Sequence, residues 1–200
     1  MRIPFVTAIF FFFSLLVSFA SHSDEIARKH HICISCHTYK AQSVYPGPQL
    51  GGLSADYVYQ QLESFKQGLR GQDAETEMMK NVVLGLTDKQ AKGLSEWAAD
   101  LEVVPVFDYN KAVELPGYQV YQAKCQDCHS SFIGRFMTDS PRLDGLDSGY
   151  LLKQMALFKS GSRAVIDPSK HQRKMMTVVK SLTDEEFLLL TEFFKRATEY

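Results

Sequence analysis

Cys33 and Cys36 stand three residues apart and are followed at once by His37; Cys125, Cys128 and His129 repeat the arrangement 92 residues later. Two thiols one helical turn apart can add to both vinyl groups of one porphyrin. The His that follows is then carried beneath the ring, where its imidazole can ligate iron. The pattern predicts two covalently bound haem c groups and a redox function. The competing chemistries fit less well. A redox-active Cys-x-x-Cys needs no following His and would sit near a βαβ pattern, which this sequence lacks. A four-cysteine zinc site would have to gather pairs 92 residues apart and would leave both histidines unexplained. Cysteines three apart rarely bridge each other comfortably.

The elements that position these residues are duplicated. Pro48-Gln-Leu-Gly-Gly-Leu53 lies over Pro141-Arg-Leu-Asp-Gly-Leu146 at an offset of 93, and the same offset pairs Tyr57 with Tyr150, Gln61 with Gln154, Phe65 with Phe158, Gly68 with Gly161 and Arg70 with Arg163. Further on, Thr87 and Trp97 pair with Thr183 and Phe193 at an offset of 96. A period of this length marks two copies of one unit. The expected division is a signal peptide at 1–20, an N-terminal unit at 21–104 and a C-terminal unit at 105–200, with Pro105 interrupting the pattern between the two units.

Each unit reads as helical. Val58, Leu62, Phe65 and Leu69 make one apolar stripe, repeated by Leu151, Met155 and Phe158. Thr87-x-x-Gln90 and Thr183-x-x-Glu186 are capping-box starts for the last helix of each unit. Trp97 reads as packing within such a helix. No alternating run argues for a sheet, so the fold class is all-α.

An iron held by one His has a second axial position to fill. Met79-Lys-Asn-Val-Val-Leu-Gly-Leu-Thr87 aligns without a gap on Met175-Met-Thr-Val-Val-Lys-Ser-Leu-Thr183, which nominates Met79 and Met175 as thioether ligands that favour Fe(II). Met78 and Met176 remain alternatives. Met137 and Met155 have no Met partner in the first unit and read as packing; His171 also lacks a counterpart. His22, His30 and His31 read as solvated or near a helix end. A carbonyl near Pro48 and Pro141 is expected to accept the proximal imidazole N–H. Arg70 and Arg163 either reach haem propionates or end their helices in solvent.

Residues 1–20 have the form of an export signal: Arg2, an apolar run from Ile9 to Val17, then Ser18-Phe19-Ala20. The expected location is periplasmic. The whole chain carries 22 basic and 23 acidic side chains, a balance that gives no reason to expect nucleic-acid binding. The N-terminal unit is about −3 and the C-terminal unit about +1. Lys170, Arg173 and Lys174 form a basic cluster just before Met175, suited to steering an acidic partner.

The combination in both halves of Cys-x-x-Cys-His, Pro-x-Leu-x-Gly-Leu, Tyr-x-x-x-Gln-Leu/Met-x-x-Phe-Lys-x-Gly-x-Arg and a late Met resembles cytochrome c4. It is also similar to the cytochrome subunit of flavocytochrome c sulfide dehydrogenase. The resemblance implies two tandem class I cytochrome c domains and two His/Met-ligated irons (His37 with Met79, His129 with Met175). It also implies a periplasmic electron carrier that is not itself an enzyme and has no substrate pocket, exchanging electrons with a redox donor and acceptor such as a membrane oxidase or a dehydrogenase. Class I domains begin with a Gly-x-x-x-aromatic helix. The second half has Gly117 and Tyr121, whereas the first has Glu25 and Lys29 there.

Overall fold

The computed structural model describes residues 29–37, 47–105, 108–129, 132–165 and 167–197. The proposed export signal, His22 and Glu25 lie outside these residues. The described residues form helices and connecting turns, with no strand among them.

In the first half, a helical segment α1 (29–34) carries the first Cys, and α2 (Ala55–Lys66), α3 (Ala74–Leu84) and α4 (Asp88–Ala99) follow. Each of the last three starts on a side-chain cap, which satisfies N–H groups that no helical carbonyl can reach. Ser54 caps α2, Asp73 caps α3, and Thr87 with Gln90 closes a capping box on α4. The α2 stripe buries Val58 and Leu62 against Val83, Ala91 and Ala98 from α3 and α4.

The second half repeats the order. After α5 (Tyr109–Ala112) come α6 (Tyr118–Tyr121), a π-helical turn (Gln122–Gln126) and α7 (Asp127–His129), which run on without a break and correspond to α1. The π turn includes Cys125, and such turns are frequent at functional sites. Then α8 (Phe132–Thr138) leads to α9 (Ser148–Ser160), α10 (Lys170–Ser181) and α11 (Asp184–Ala197), the counterparts of α2, α3 and α4. Thr183 and Glu186 exchange the reciprocal capping bonds expected at the start of α11, at 3.0 and 3.1 Å. The helix stripe from α9 buries Leu151 and Phe158 with Leu190, Phe193 and Phe194 of α11.

In this half the Gly-x-x-x-aromatic expectation has a direct structural reason. Gly117 sits at φ +84°, and a Cβ there would overlap the Leu189 carbonyl of α11. Only glycine lets the two helices approach so closely. Tyr121, one turn on, stacks on Phe193 with ring centroids 4.8 Å apart.

The segment between the halves is held rather than loose. Gln49 donates from Nε2 to the Val104 carbonyl at 2.6 Å and to the Gly145 carbonyl at 2.5 Å, while its Oε1 accepts from Val104 N–H at 3.0 Å. One side chain thus ties the first half, the connecting segment and the second half together.

Candidate functional site

Two clefts open in the molecule, one per half, enclosing about 1110 and 1140 Å³ including their mouths. In the first half Cys33, His37 and Met79 line one cleft together with Leu50, Val58, Leu62, Phe65 and Trp97. In the second, Cys125, His129 and Met175 line the other with Leu143, Leu151, Phe158, Leu190 and Phe194. Cys36 and Cys128 are half-buried beside their partners, and all four thiols are free of disulfides. Burial raises the Cys33 thiol above its ordinary value and pushes Cys125 up to about 12.

Each cleft is apolar on its walls, and an imidazole points into it in a defined tautomer. His37 Nδ1 lies 2.8 Å from the Pro48 carbonyl and His129 Nδ1 lies 2.8 Å from the Pro141 carbonyl. A carbonyl only accepts, so Nδ1 carries the proton and Nε2 keeps a lone pair for a metal. Burial lowers both imidazoles below their ordinary value, against a smaller upward pull from the carbonyl bond, so the neutral, ligating form prevails. The carbonyl that the sequence left unassigned is that of the proline itself in both halves.

The methionine registers separate cleanly in the first half. Met79 lines its cleft and Met78 does not. In the second half Met175 lines the cleft and Met176 does not, although both pack against the core. Met155 and His171 also line that cleft, so this half offers more than one donor at its wall.

Several sequence expectations need correction or refinement. Met137 was expected to pack, yet it is 67 % exposed, because it sits on the outer face of the short α8 beside Ile133 and Phe136. Met155 packs as expected but also faces the cleft. Of the two settings expected for His30, it takes the one near a helix end, in the first described turn of α1, where it stacks on Trp97 with centroids 4.3 Å apart and planes 10° from parallel, and its Nε2 is buried without a partner. Lys170, Arg173 and Lys174, the basic cluster before Met175, belong to the first turns of α10 and are exposed next to the cleft-lining His171 and Gln172.

The largest departure concerns the two arginines. Neither ends in solvent: Arg70 is 2 % exposed and Arg163 is 7 % exposed. They meet at the seam between the halves. Arg70 donates to Gln61 Oε1, to Tyr150 OH at 3.0 Å and to Gln154 Oε1 at 3.0 Å. Arg163 donates to Gln154 Oε1 at 2.7 Å and to Gln61 Oε1 at 3.0 Å. Each guanidinium also lies over an aromatic ring of the helix just before it, Phe65 at 4.7 Å and Phe158 at 4.2 Å. Among the described residues no carboxylate pairs with either arginine, and the Nε of each is buried with no acceptor. Tyr57, Gln61 and Tyr150 line both clefts, so the clefts converge on this seam. The roles of Gln61 and Gln154 were not assigned from sequence. The signal was present in the matched Gln-x8-Arg spacing of both halves.

These observations test the fit of a haem directly. The clefts supply apolar walls, a neutral imidazole and a thioether, and each is lined by a buried cation with an unused donor, Arg70 in the first and Arg163 in the second, suited to a group that carries carboxylates. The residues fit the group.

Comparison with known proteins agrees. The Cytochrome c family pattern matches twice, over residues 28–101 and 115–198. Over 177 residues the chain is 25 % identical to the thiosulfate dehydrogenase electron acceptor of Stutzerimonas stutzeri (strain A1501), covering 81 % of this chain and 77 % of that one. It is 24 % identical over 180 residues to cytochrome c4 of Thiocapsa roseopersicina, covering 84 % and 88 %. The fold matches that of reduced recombinant cytochrome c4 from Pseudomonas stutzeri with a TM-score of 0.60 at 20 % identity, over 86 % of this chain and 96 % of that one. With a haem-attachment motif in each matched segment, the cofactors are two covalently bound haem c groups, and the chain works in electron transfer. It belongs to the cytochrome c family, as two tandem class I domains in the arrangement of cytochrome c4.

Proposed function

We propose that this chain is a periplasmic electron carrier whose irons are each closed by a His and a Met: His37 with Met79, and His129 with Met175. The observation that carries the reading is the duplicated placement of a proline-bonded imidazole and a register-matched thioether in the same cleft. Cys33 and Cys36 hold the first haem, Cys125 and Cys128 the second. When bound, haem supplies reversible one-electron exchange at iron. The chain does the rest. The Pro48 and Pro141 carbonyls fix the imidazole tautomer and raise its basicity. Met79 and Met175 would hold the iron through a thioether, leaving small molecules no place on it and favouring the reduced metal. The apolar walls exclude water, and Arg70 and Arg163, which line the clefts, would pair with the carboxylates of the bound group. The domains run over 21–104 and 105–200 after a cleaved signal at 1–20. Among the described residues no helix is long and apolar enough to cross a membrane.

A second reading is favoured by one specific finding, the similarity over 81 % of the chain to a thiosulfate dehydrogenase electron acceptor. In it, this chain takes electrons from a dehydrogenase that holds the catalytic centre on another polypeptide. Both readings share closed irons.

A carbon monoxide difference spectrum of the reduced, haem-loaded protein tests that point. The wild type is expected to bind none, Met79→Ala one equivalent and Met175→Ala one equivalent. Carbon monoxide binding by the wild type would overturn the proposal and point to an enzyme with an open iron. If Met175→Ala stays closed, Met155 or His171 takes that position instead.

A further inference from the structure

The seam between the halves holds two cations that no carboxylate compensates among the described residues. Taking a guanidinium out of water is costly unless an anion or a full set of acceptors replaces the lost hydration. Among the described residues Arg70 and Arg163 bond neutral partners only, chiefly two glutamine carbonyls, and each retains an unused Nε donor. They also lie close enough to repel: beyond its own burial, Arg163 is pushed below its ordinary value by Arg70.

The connectivity is reciprocal. Gln61 Oε1 accepts from both arginines, and so does Gln154 Oε1, which closes a four-membered ring with two members from each half. Arg70 belongs to the first half, yet two of its three acceptors, Tyr150 and Gln154, belong to the second and line the second cleft. Arg163 belongs to the second half and donates to Gln61, which lines both clefts. A backbone bond from Ala164 N–H to the Leu69 carbonyl, 2.8 Å, holds the two arginine-bearing loops against each other. Neither guanidinium can therefore move or lose charge without the other half responding.

Resting on the reading that each cleft holds a haem, we propose that Arg70 and Arg163 form one shared cationic site, so that either arginine sets the reduction potential of both haems. A positive charge near iron favours Fe(II), and inside the seam the field of each arginine is little screened by water. Replacing Arg163 by Gln removes the charge and keeps a donor. At fixed applied potential this lowers the Fe(II)/Fe(III) ratio about tenfold at its own haem, equivalent to about 59 mV for one electron. Because the site is shared, the ratio at the first haem falls too, by about threefold. Arg70→Gln gives the mirror image.

The test is spectroelectrochemical titration of the full-length dihaem protein, with each haem followed through its own paramagnetically shifted methyl resonances. The proposal requires both haems to shift in Arg163→Gln and in Arg70→Gln, with Arg163→Lys recovering most of the change. A shift confined to the haem of the substituted half would overturn it, as would no shift at either. Gln49→Ala separates charge from simple loosening, because uncharged Gln49 ties the halves through the Val104 and Gly145 carbonyls, at 2.6 and 2.5 Å, without touching the arginine ring. If that variant moves both potentials as far as Arg163→Gln, loosening explains the effect and the shared site is wrong. Failure of the underlying dihaem reading shows independently, as fewer than two haems per chain by covalent haem stain and mass.

Discussion

The two halves build the same helix crossing from different chemistry. In the C-terminal half, Gly117 lets α6 touch α11, and Tyr121, Phe193 and Phe194 fill the contact with rings that are fully buried. In the N-terminal half, where α1 crosses α4, the contact is a His30 imidazole laid flat on Trp97, and one of its nitrogens is buried unbonded. Both crossings position a cysteine and a histidine for the same task. The difference teaches that the crossing needs flat surfaces at contact distance, which an imidazole and an indole supply as well as two benzene rings. What the N-terminal half gives up is tolerance of acid, since only its crossing contains a group that titrates near neutrality.

The sharpest way to break the comparison is Gly117→Val. The added side chain collides with backbone on α11 and sits at a positive φ that a β-branched residue cannot adopt without strain. A loss of about 3 kcal/mol or more is expected, confined to the C-terminal half. Hydrogen exchange of α11 against α4 measures it. Equal deprotection of both helices would show that the halves do not unfold separately.

His30→Phe sharpens the comparison from the other side. It removes from the N-terminal crossing the ring that titrates near neutrality, which the C-terminal crossing lacks, and with it the unbonded imidazole nitrogen, a gain of about 1 kcal/mol. Its pH dependence carries the diagnosis. Burial first, then His31, lowers the folded-state pKa of His30 below 6.5, so the folded protein prefers it neutral. As pH falls through 6.5 the unfolded chain takes up the proton first, and stability drops until the folded value is reached; above 6.5 this group contributes no slope. The wild-type N-terminal half should therefore weaken between pH 7 and 5 relative to His30→Phe, with the two curves parallel at pH 8. Curves that stay parallel throughout would mean His30 remains neutral or is solvated in both states.

How much of this was legible in the sequence follows from the range of each interaction. The attachment motifs, the duplication and both Thr capping boxes rest on residues within a few positions of one another, and they stand where the spacing placed them. The second-half crossing was legible because Gly117 and Tyr121 form a local pair. Its first-half counterpart was not, since the Glu25 and Lys29 positions carry no such pair and the ring that meets Trp97 is His30, one residue further on. The arginine ring was out of reach for another reason. Its bonds join residues as far apart as Gln61 and Arg163, and no periodicity along the chain encodes a contact between two copies of the repeat. Duplicated Gln and Arg positions signalled that both halves use them alike, but not that they use them together. Met137 was misread because a Met without a counterpart looks like filler until its helix is seen to lie on the surface.

The smallest expected effect lies at the seam, and it bears on whether the two crossings can be compared as independent units at all. Lys153 bonds Asp73, which also caps α3, the helix that carries Met79. Burial would raise the Asp73 carboxyl, but the Lys153 bond and the Thr76 N–H outweigh it and hold it well below the usual carboxylate range. A depressed carboxylate stabilises the folded state at all pH values above its unfolded pKa of about 3.9, and that contribution is lost as pH falls below it toward the folded value. In Lys153→Met the main cause of the depression is gone, so the folded value returns toward the ordinary one; the acid loss still begins at the unfolded value, but it starts from a seam that is weaker at every higher pH. Because both partners are about a third exposed, the difference at neutral pH is only about 1 kcal/mol or less. Small-angle scattering from pH 6 down to pH 3 should show the halves separating earlier in the variant, while the crossing within each half holds. If the N-terminal half instead unfolds as soon as the seam opens, its His30–Trp97 crossing depends on the neighbouring half for support, and the equivalence of the two crossings is one of geometry alone.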